Sequence, residues 1–175
     1  NMVLCLGPNG SGKTLLLKKL QNYEEIDLTT NTVPSVGTNI FTILSPDKSQ
    51  YEEVTEIGGS VASIWKKYYK GVRKIMYVVD ASNLCQISAA GILLYELLVD
   101  PATKNAKILL ILTKMDVSYR QMRNEALLML QYAKLKDRIP QQISVVEASP
   151  ISGEGISDIV KWLFNIPIEQ KNKQK

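Results

Sequence analysis

The sequence predicts an α/β fold, a six-stranded and mostly parallel sheet with helices on both faces, and three observations predict it. Continuous apolar and β-branched runs at 75–79 and 108–112 have the composition of strands buried on both faces, as in a parallel sheet. Between and after such runs, apolar residues recur at helical spacing (Ile87, Leu94, Leu98). A glycine-rich turn beginning at Gly7 joins the first apolar run directly to the first helical one. Sheets of this kind bind ligands at such turns, outside the carboxyl ends of their strands.

Each element follows in order. Met2–Leu6 reads as a strand and 13–21 as a helix rich in Leu and Lys. Residues 22–37 are polar and aperiodic and read as a long loop, a feature usually functional or disordered in a compact domain. Residues 40–44 and Tyr51–Ile57 flank a Ser45-Pro46-Asp47 turn and form a hairpin. Gly58, Gly59 and Ser60 break the second hairpin strand, and 64–69 read as a short amphipathic helix. Met122, Ala126, Met129 and Ala133 mark a further helix, 143–146 a strand, and Ile156, Ile159, Val160 and Leu163 a last helix. With no linker or repeat, residues 1–167 are expected to form one domain, and 168–175 a polar, solvated and disordered tail.

Composition excludes several functions. At 175 residues, 45% hydrophobic and 22% charged, the chain has the make-up of an ordinary globular domain with a sizeable core. It has no histidine, so Ser-His-Asp triads, His-ligated zinc and His general bases are impossible. The net charge of +4 is mild, no basic stripe is interleaved with aromatics, and nucleic acid is not an expected partner. Cys5 and Cys85 form no C-x-x-C pair, and a buried, reduced Cys5 fits a cytoplasmic protein. No apolar stretch approaches the roughly 20 residues that span a bilayer, and the first strand begins at once, so no signal peptide is expected.

Gly7, Gly12, Lys13 and Thr14 match G-x-x-x-x-G-K-[ST] in the strand–loop–helix context that the pattern requires. Gly7, Asn9, Gly10, Ser11 and Gly12 let successive backbone N–H groups converge on a phosphate, and the following helix aims its positive end at the same anion. Lys13 would reach the outer phosphates, and the Thr14 hydroxyl a Mg²⁺ ion. The sequence therefore predicts a P-loop nucleotide-binding fold. Base choice comes from Thr113-Lys114-Met115-Asp116, which ends a buried strand. The Asp116 carboxylate can accept both the ring N–H and the exocyclic amine of guanine, a pattern that adenine lacks; as a plain alternative, it caps the next helix.

With these motifs in hand, the chain resembles the small GTPases, and a divergent member of the Arf-like family in particular, over nearly all its length. Further segments carry the likeness: Val33-Pro34-Ser35-Val36-Gly37-Thr38-Asn39 is similar to the Arf switch I motif. Glu56-Ile57-Gly58-Gly59-Ser60 stands where switch II begins, and Val78-Val79-Asp80-Ala81-Ser82 ends the next strand. The resemblance implies GTP or GDP with Mg²⁺ held by Thr14 and Ser35. It adds Gly59 to the phosphate side and Thr113, Lys114, Asp116, Ser149, Pro150 and Ile151 to the guanine side.

Five departures qualify it. Ser35 replaces the switch I Thr with a similar hydroxyl, and Glu56 replaces Asp with an extra methylene. Ser60 takes the place of the Gln that orients the attacking water and is too short to reach it, so intrinsic hydrolysis is expected to be weak at most. Pro150 falls where a backbone N–H normally meets the guanine carbonyl and has none to give. Two of the family's three switch aromatics are absent, Thr38 and Thr55 standing in their places with Tyr68. Thr38, Trp65, Tyr68 and Tyr69 form the expected effector surface, with core packing as the alternative for Trp65.

The resemblance implies effector proteins, an exchange factor and an activating protein as partners. It implies a monomer without a membrane anchor of its own, and a cytoplasmic location with a role in vesicle traffic at the Golgi or cilium. Two alternatives stay open: a pseudo-GTPase interaction module that stays GTP-bound or empty, and a P-loop nucleotide kinase. The kinase would need an arginine-rich lid, and Arg73, Arg120, Arg123 and Arg138 are not grouped as one.

Overall fold

The computed structural model describes residues 2–21, 37–113 and 120–168. Six strands form one sheet in the order β2-β3-β1-β4-β5-β6: β1 (Met2–Leu6), β2 (Thr38–Leu44), β3 (Tyr51–Ile57), β4 (Val72–Asp80), β5 (Lys107–Thr113) and β6 (Ile143–Glu147). β2 pairs antiparallel with β3, and every other neighbouring pair is parallel. The expected mostly parallel sheet is therefore the observed one. β4 and β5 each extend beyond the apolar runs because the ladder recruits Lys74 and Lys107 as opposed partners at one end and Asp80 and Thr113 at the other.

The helices are α1 (Lys13–Leu20), α2 (Leu84–Val99), α3 (Arg120–Met129), α4 (Tyr132–Arg138) and α5 (Ile156–Leu163). Strand alternation sends successive side chains to opposite faces and divides the core in two. On one face Leu4, Leu6, Ile75, Tyr77, Leu110 and Leu112 pack with α2 and α3. On the other, Val3, Cys5, Met76, Val78, Leu109 and Ile111 pack with α1 and α5.

Two expected helices differ. The segment read as an amphipathic helix at 64–69 is a 3₁₀ helix that starts earlier, Gly59–Tyr68. The helix read through Met122 and Ala133 is two, because Gln131 takes a left-handed conformation, φ 53°, that no α-helix continues through. The long loop at 22–36 and the tail at 169–175 lie outside the described residues. No helix among the described residues is long and apolar enough to cross a membrane.

Candidate nucleotide site

The glycine-rich turn leaves β1 at its carboxyl end and enters α1 with Gly12 in a left-handed conformation. Gly7 shows why this first position excludes a side chain: at φ 150°, a Cβ would lie 2.2 Å from the Val78 carbonyl oxygen of β4. The turn is thus pressed against the sheet edge that carries Asp80. Ser11 is fully buried, Gly10 is exposed, and Gly12 and Thr14 are half-buried.

Lys13 is 5% exposed, and its ammonium donates to the carbonyls of Gly7 and Pro8, both at 2.9 Å, with Ser11 Oγ at 3.4 Å. The side chain arches over its own loop, and the charge sits at the centre of the curl. Burial pushes its pKa down, while the neighbouring Cys5 and Glu56 oppose that shift. A cation destabilised by burial gains from any anion brought beside it. Behind it, burial lifts the Cys5 thiol to about 12, with Lys13 opposing and Glu56 reinforcing the rise, so Cys5 is an inert thiol at neutral pH.

Thr14 Oγ1 donates to Glu56 Oε1 at 2.6 Å, and Glu56 is 1% exposed. A hydroxyl and a buried carboxylate side by side next to a phosphate loop are hard oxygen ligands of the kind Mg²⁺ takes, so the residues present fit that ion. The extra methylene of Glu56 leaves its carboxylate in reach of Thr14.

After β3 the chain folds back onto the loop. A Cβ on Gly59 would lie 2.3 Å from Asn9 N, 2.5 Å from Pro8 C and 2.6 Å from Gly7 O, all backbone atoms. Ser60 N donates to Asn9 Oδ1 at 3.1 Å, while Ser60 itself is exposed. Gly58 N donates to Gly37 O at 3.2 Å, joining the two segments that resemble the switches. The Asn9 side-chain link to Ser60 was not legible in sequence, where Asn9 figured only as part of the phosphate loop.

On the side expected to hold the base, Thr113 is 1% exposed, and its hydroxyl donates towards Ser11 O at 2.6 Å and Val79 O at 3.1 Å. It braces the end of β5 against the phosphate loop. Lys114 and Asp116, like Ser35 on the metal side, lie outside the described residues. The loop after β6 is anchored by Ala148 N donating to Leu112 O at 2.9 Å and closed by Gly153 N to Ser149 O at 2.8 Å. Within it Ser149 and Pro150 are buried and Ile151 is 37% exposed. The structure thus brings Gly7–Thr14, Glu56, Gly59, Thr113 and the 149–151 loop to the carboxyl edge of one sheet.

The expected effector surface needs correction. Trp65 is 2% exposed and Tyr69 3%, both within the α2-side core, so neither presents a face to a partner. Trp65 stacks edge-on to Tyr77 at 6.2 Å and donates from Nε1 to Gly58 O at 3.3 Å. The alternative reading of Trp65 as core is the observed one. Tyr68 is half-buried against the same core, and Thr38 remains exposed. Trp65→Ala is expected to cost about 3–5 kcal/mol of stability, the range for a large core aromatic, and to lower the unfolding midpoint measured by thermal denaturation.

Comparison with known proteins places this geometry. The profile of the ADP-ribosylation factor family matches residues 1–166. ADP-ribosylation factor-like protein 16 of Homo sapiens is 32% identical over 168 residues, covering 93% of this chain and 84% of that one. ADP-ribosylation factor-like protein 1 of Saccharomyces cerevisiae is 30% identical over 171 residues, 97% of this chain and 88% of that one. The structure of the Arl6 BBS3 small GTPase from Trypanosoma brucei with bound nucleotide analogue GppNp superposes with a TM-score of 0.77. It is 19% identical and covers 94% of this chain and 95% of that one, a likeness of fold. With its phosphate loop, sheet order and family match in agreement, this chain belongs to the ADP-ribosylation factor family of small GTPases.

Proposed function

We propose that the protein is a guanine-nucleotide switch that binds GTP with Mg²⁺, hydrolyses it slowly without help, and changes its surface for effector and regulatory proteins. The observation that carries this reading is the closure around the phosphate loop: Lys13 arched over it, Thr14 paired with Glu56, and Gly59 packed on its backbone. Lys13 and the loop N–H groups would bind and orient the phosphates. Thr14, with Ser35 from the first switch segment, would hold Mg²⁺, which supplies charge neutralisation at the outer phosphates. Asp116 would select guanine, and Ser149 and Ile151 would carry the base loop around Pro150. A GTP-dependent rearrangement of 22–37 and 58–64 would present Thr38 and its surroundings to partners in cytoplasmic vesicle traffic.

Nucleotide extracted from purified protein and separated by ion-exchange chromatography tests the reading, together with competition of ATP and GTP for a fluorescent guanine nucleotide. Bound guanine nucleotide and preference for GTP are expected; equal competition by ATP removes the guanine assignment. Protein that neither carries nor takes up nucleotide would instead be the interaction module that Ser60 and Pro150 leave open.

Ser60 also sets an expected rate. Its backbone is held by Asn9, and its side chain ends one carbon beyond Cα, so it cannot place a water where a Gln would. Wild-type single-turnover hydrolysis is expected to be slow, and Ser60→Gln to raise it severalfold without changing GTP affinity. Rapid wild-type turnover would show that another group positions the water.

A further inference from the structure

Opposite the nucleotide loop, at the amino ends of β5 and β6, a groove of about 310 Å³ is lined by Lys107, Gln142, Ser144, Lys161, Trp162 and Asn165, with residues 166–168 forming its rim. Among the described residues, no carboxylate lines it. The fold itself concentrates charge here. Lys74 and Lys107 are direct neighbours in the parallel β4–β5 ladder, so their side chains leave the same face of the sheet. Like charges opposed in a ladder are destabilising. Hydrogen bonds to the end of α5 offset that cost for Lys74. It is 1% exposed, and its ammonium donates to Trp162 O (2.8 Å), Leu163 O (2.7 Å) and Asn165 Oδ1 (2.9 Å), with the Trp162 ring 5.1 Å away. All three of its protons are thereby used. Burial first, then Arg73 and Lys107, pull its pKa down to about 8, with Glu52 opposing.

The same contact orients the groove. Asn165 gives its oxygen to Lys74, so its amide N–H₂ is the end left to donate outward. Lys107 is exposed and Lys161 half-buried, and neither has a carboxylate partner among the ion pairs of the described residues. Ser144, beside Leu109 in the β5–β6 ladder, adds a hydroxyl on the same face. Two ammonium groups, an oriented amide donor and a hydroxyl converge on one concavity beside an indole.

We propose that this groove is a second anion site, separate from the nucleotide loop, which takes a phosphomonoester through Lys107, Lys161, Asn165 and Ser144. A phosphomonoester suits it because the dianion and its three outer oxygens match two cations and two neutral donors. A soluble metabolite and a lipid headgroup both carry this chemistry.

The test uses nucleotide-saturated protein, so that the phosphate loop is filled. Trp162 emission is followed on titration with inositol hexakisphosphate, and separately with phosphatidylcholine vesicles containing 20 mol% phosphatidic acid or 20 mol% phosphatidylglycerol. A saturable change is expected with a phosphomonoester probe, at least tenfold weaker in Lys107→Gln/Lys161→Gln, with guanine-nucleotide affinity unchanged. Response to the soluble probe alone assigns a free anion, and response to phosphatidic acid over phosphatidylglycerol assigns a lipid headgroup. Because the sequence continues into Lys171, Lys173 and Lys175, the variant with those three changed to Gln is run beside it. Binding lost with that variant but kept in the groove variant overturns the proposal. So does no saturable response to either probe, or equal response to both lipids and to polyglutamate, which would mark a nonspecific basic surface.

Discussion

Lys13→Ala is expected to weaken GTP binding by one to two orders of magnitude. A charge-assisted contact to phosphate contributes about 1.5–3 kcal/mol, and each 1.4 kcal/mol is tenfold in affinity. The substitution has a second effect that the sequence does not reveal. The ammonium also satisfies the Gly7 and Pro8 carbonyls at 2.9 Å, so the empty loop loses its internal brace. Stability of the nucleotide-free protein should therefore fall by about 1–3 kcal/mol while the sheet stays intact. Fluorescent-nucleotide titration measures the first effect and urea denaturation of nucleotide-free protein the second. Wild-type affinity in the variant would remove Lys13 from the phosphate site.

Gly59→Ala should uncouple the 3₁₀ segment from the phosphate loop. The added methyl would stand 2.3–2.6 Å from three backbone atoms of Gly7, Pro8 and Asn9, where no side chain can swing aside. The segment must lift, which breaks the Ser60–Asn9 bond and strains the Gly58–Trp65 contact. GTP affinity is expected to fall at least tenfold and Trp65 emission to shift, with Ser60→Ala as the control because it retains the backbone donor. If the Gly59→Ala variant binds GTP as wild type does, this closure is not part of the nucleotide-bound state.

Much of the architecture was legible because its signals are local. The 75–79 and 108–112 runs are apolar at every position, which only a strand covered on both faces requires, and the phosphate loop is contiguous. What escaped depended on distant partners. Tyr69 resembled part of an exposed aromatic patch, yet it lies 3% exposed in the α2-side core, with Trp65, whose core alternative the sequence had kept open. Lys74 is buried in β4, and only the end of α5, 88 residues later, explains it. The break at Gln131 carries no Gly or Pro to announce it, so helical periodicity ran straight through.

The hydrogen bond from Thr113 to Ser11 spans 102 residues of sequence in 2.6 Å. It joins the strand that leads to the proposed base-selecting residues to a carbonyl of the glycine-rich loop proposed to hold phosphate. The two ends of a nucleotide would therefore rest on one lever rather than on two independent clamps. A partner that pries the loop outward pulls on the end of β5 as well. Nucleotide exchange through such a lever would loosen base and phosphates together, in a single kinetic phase.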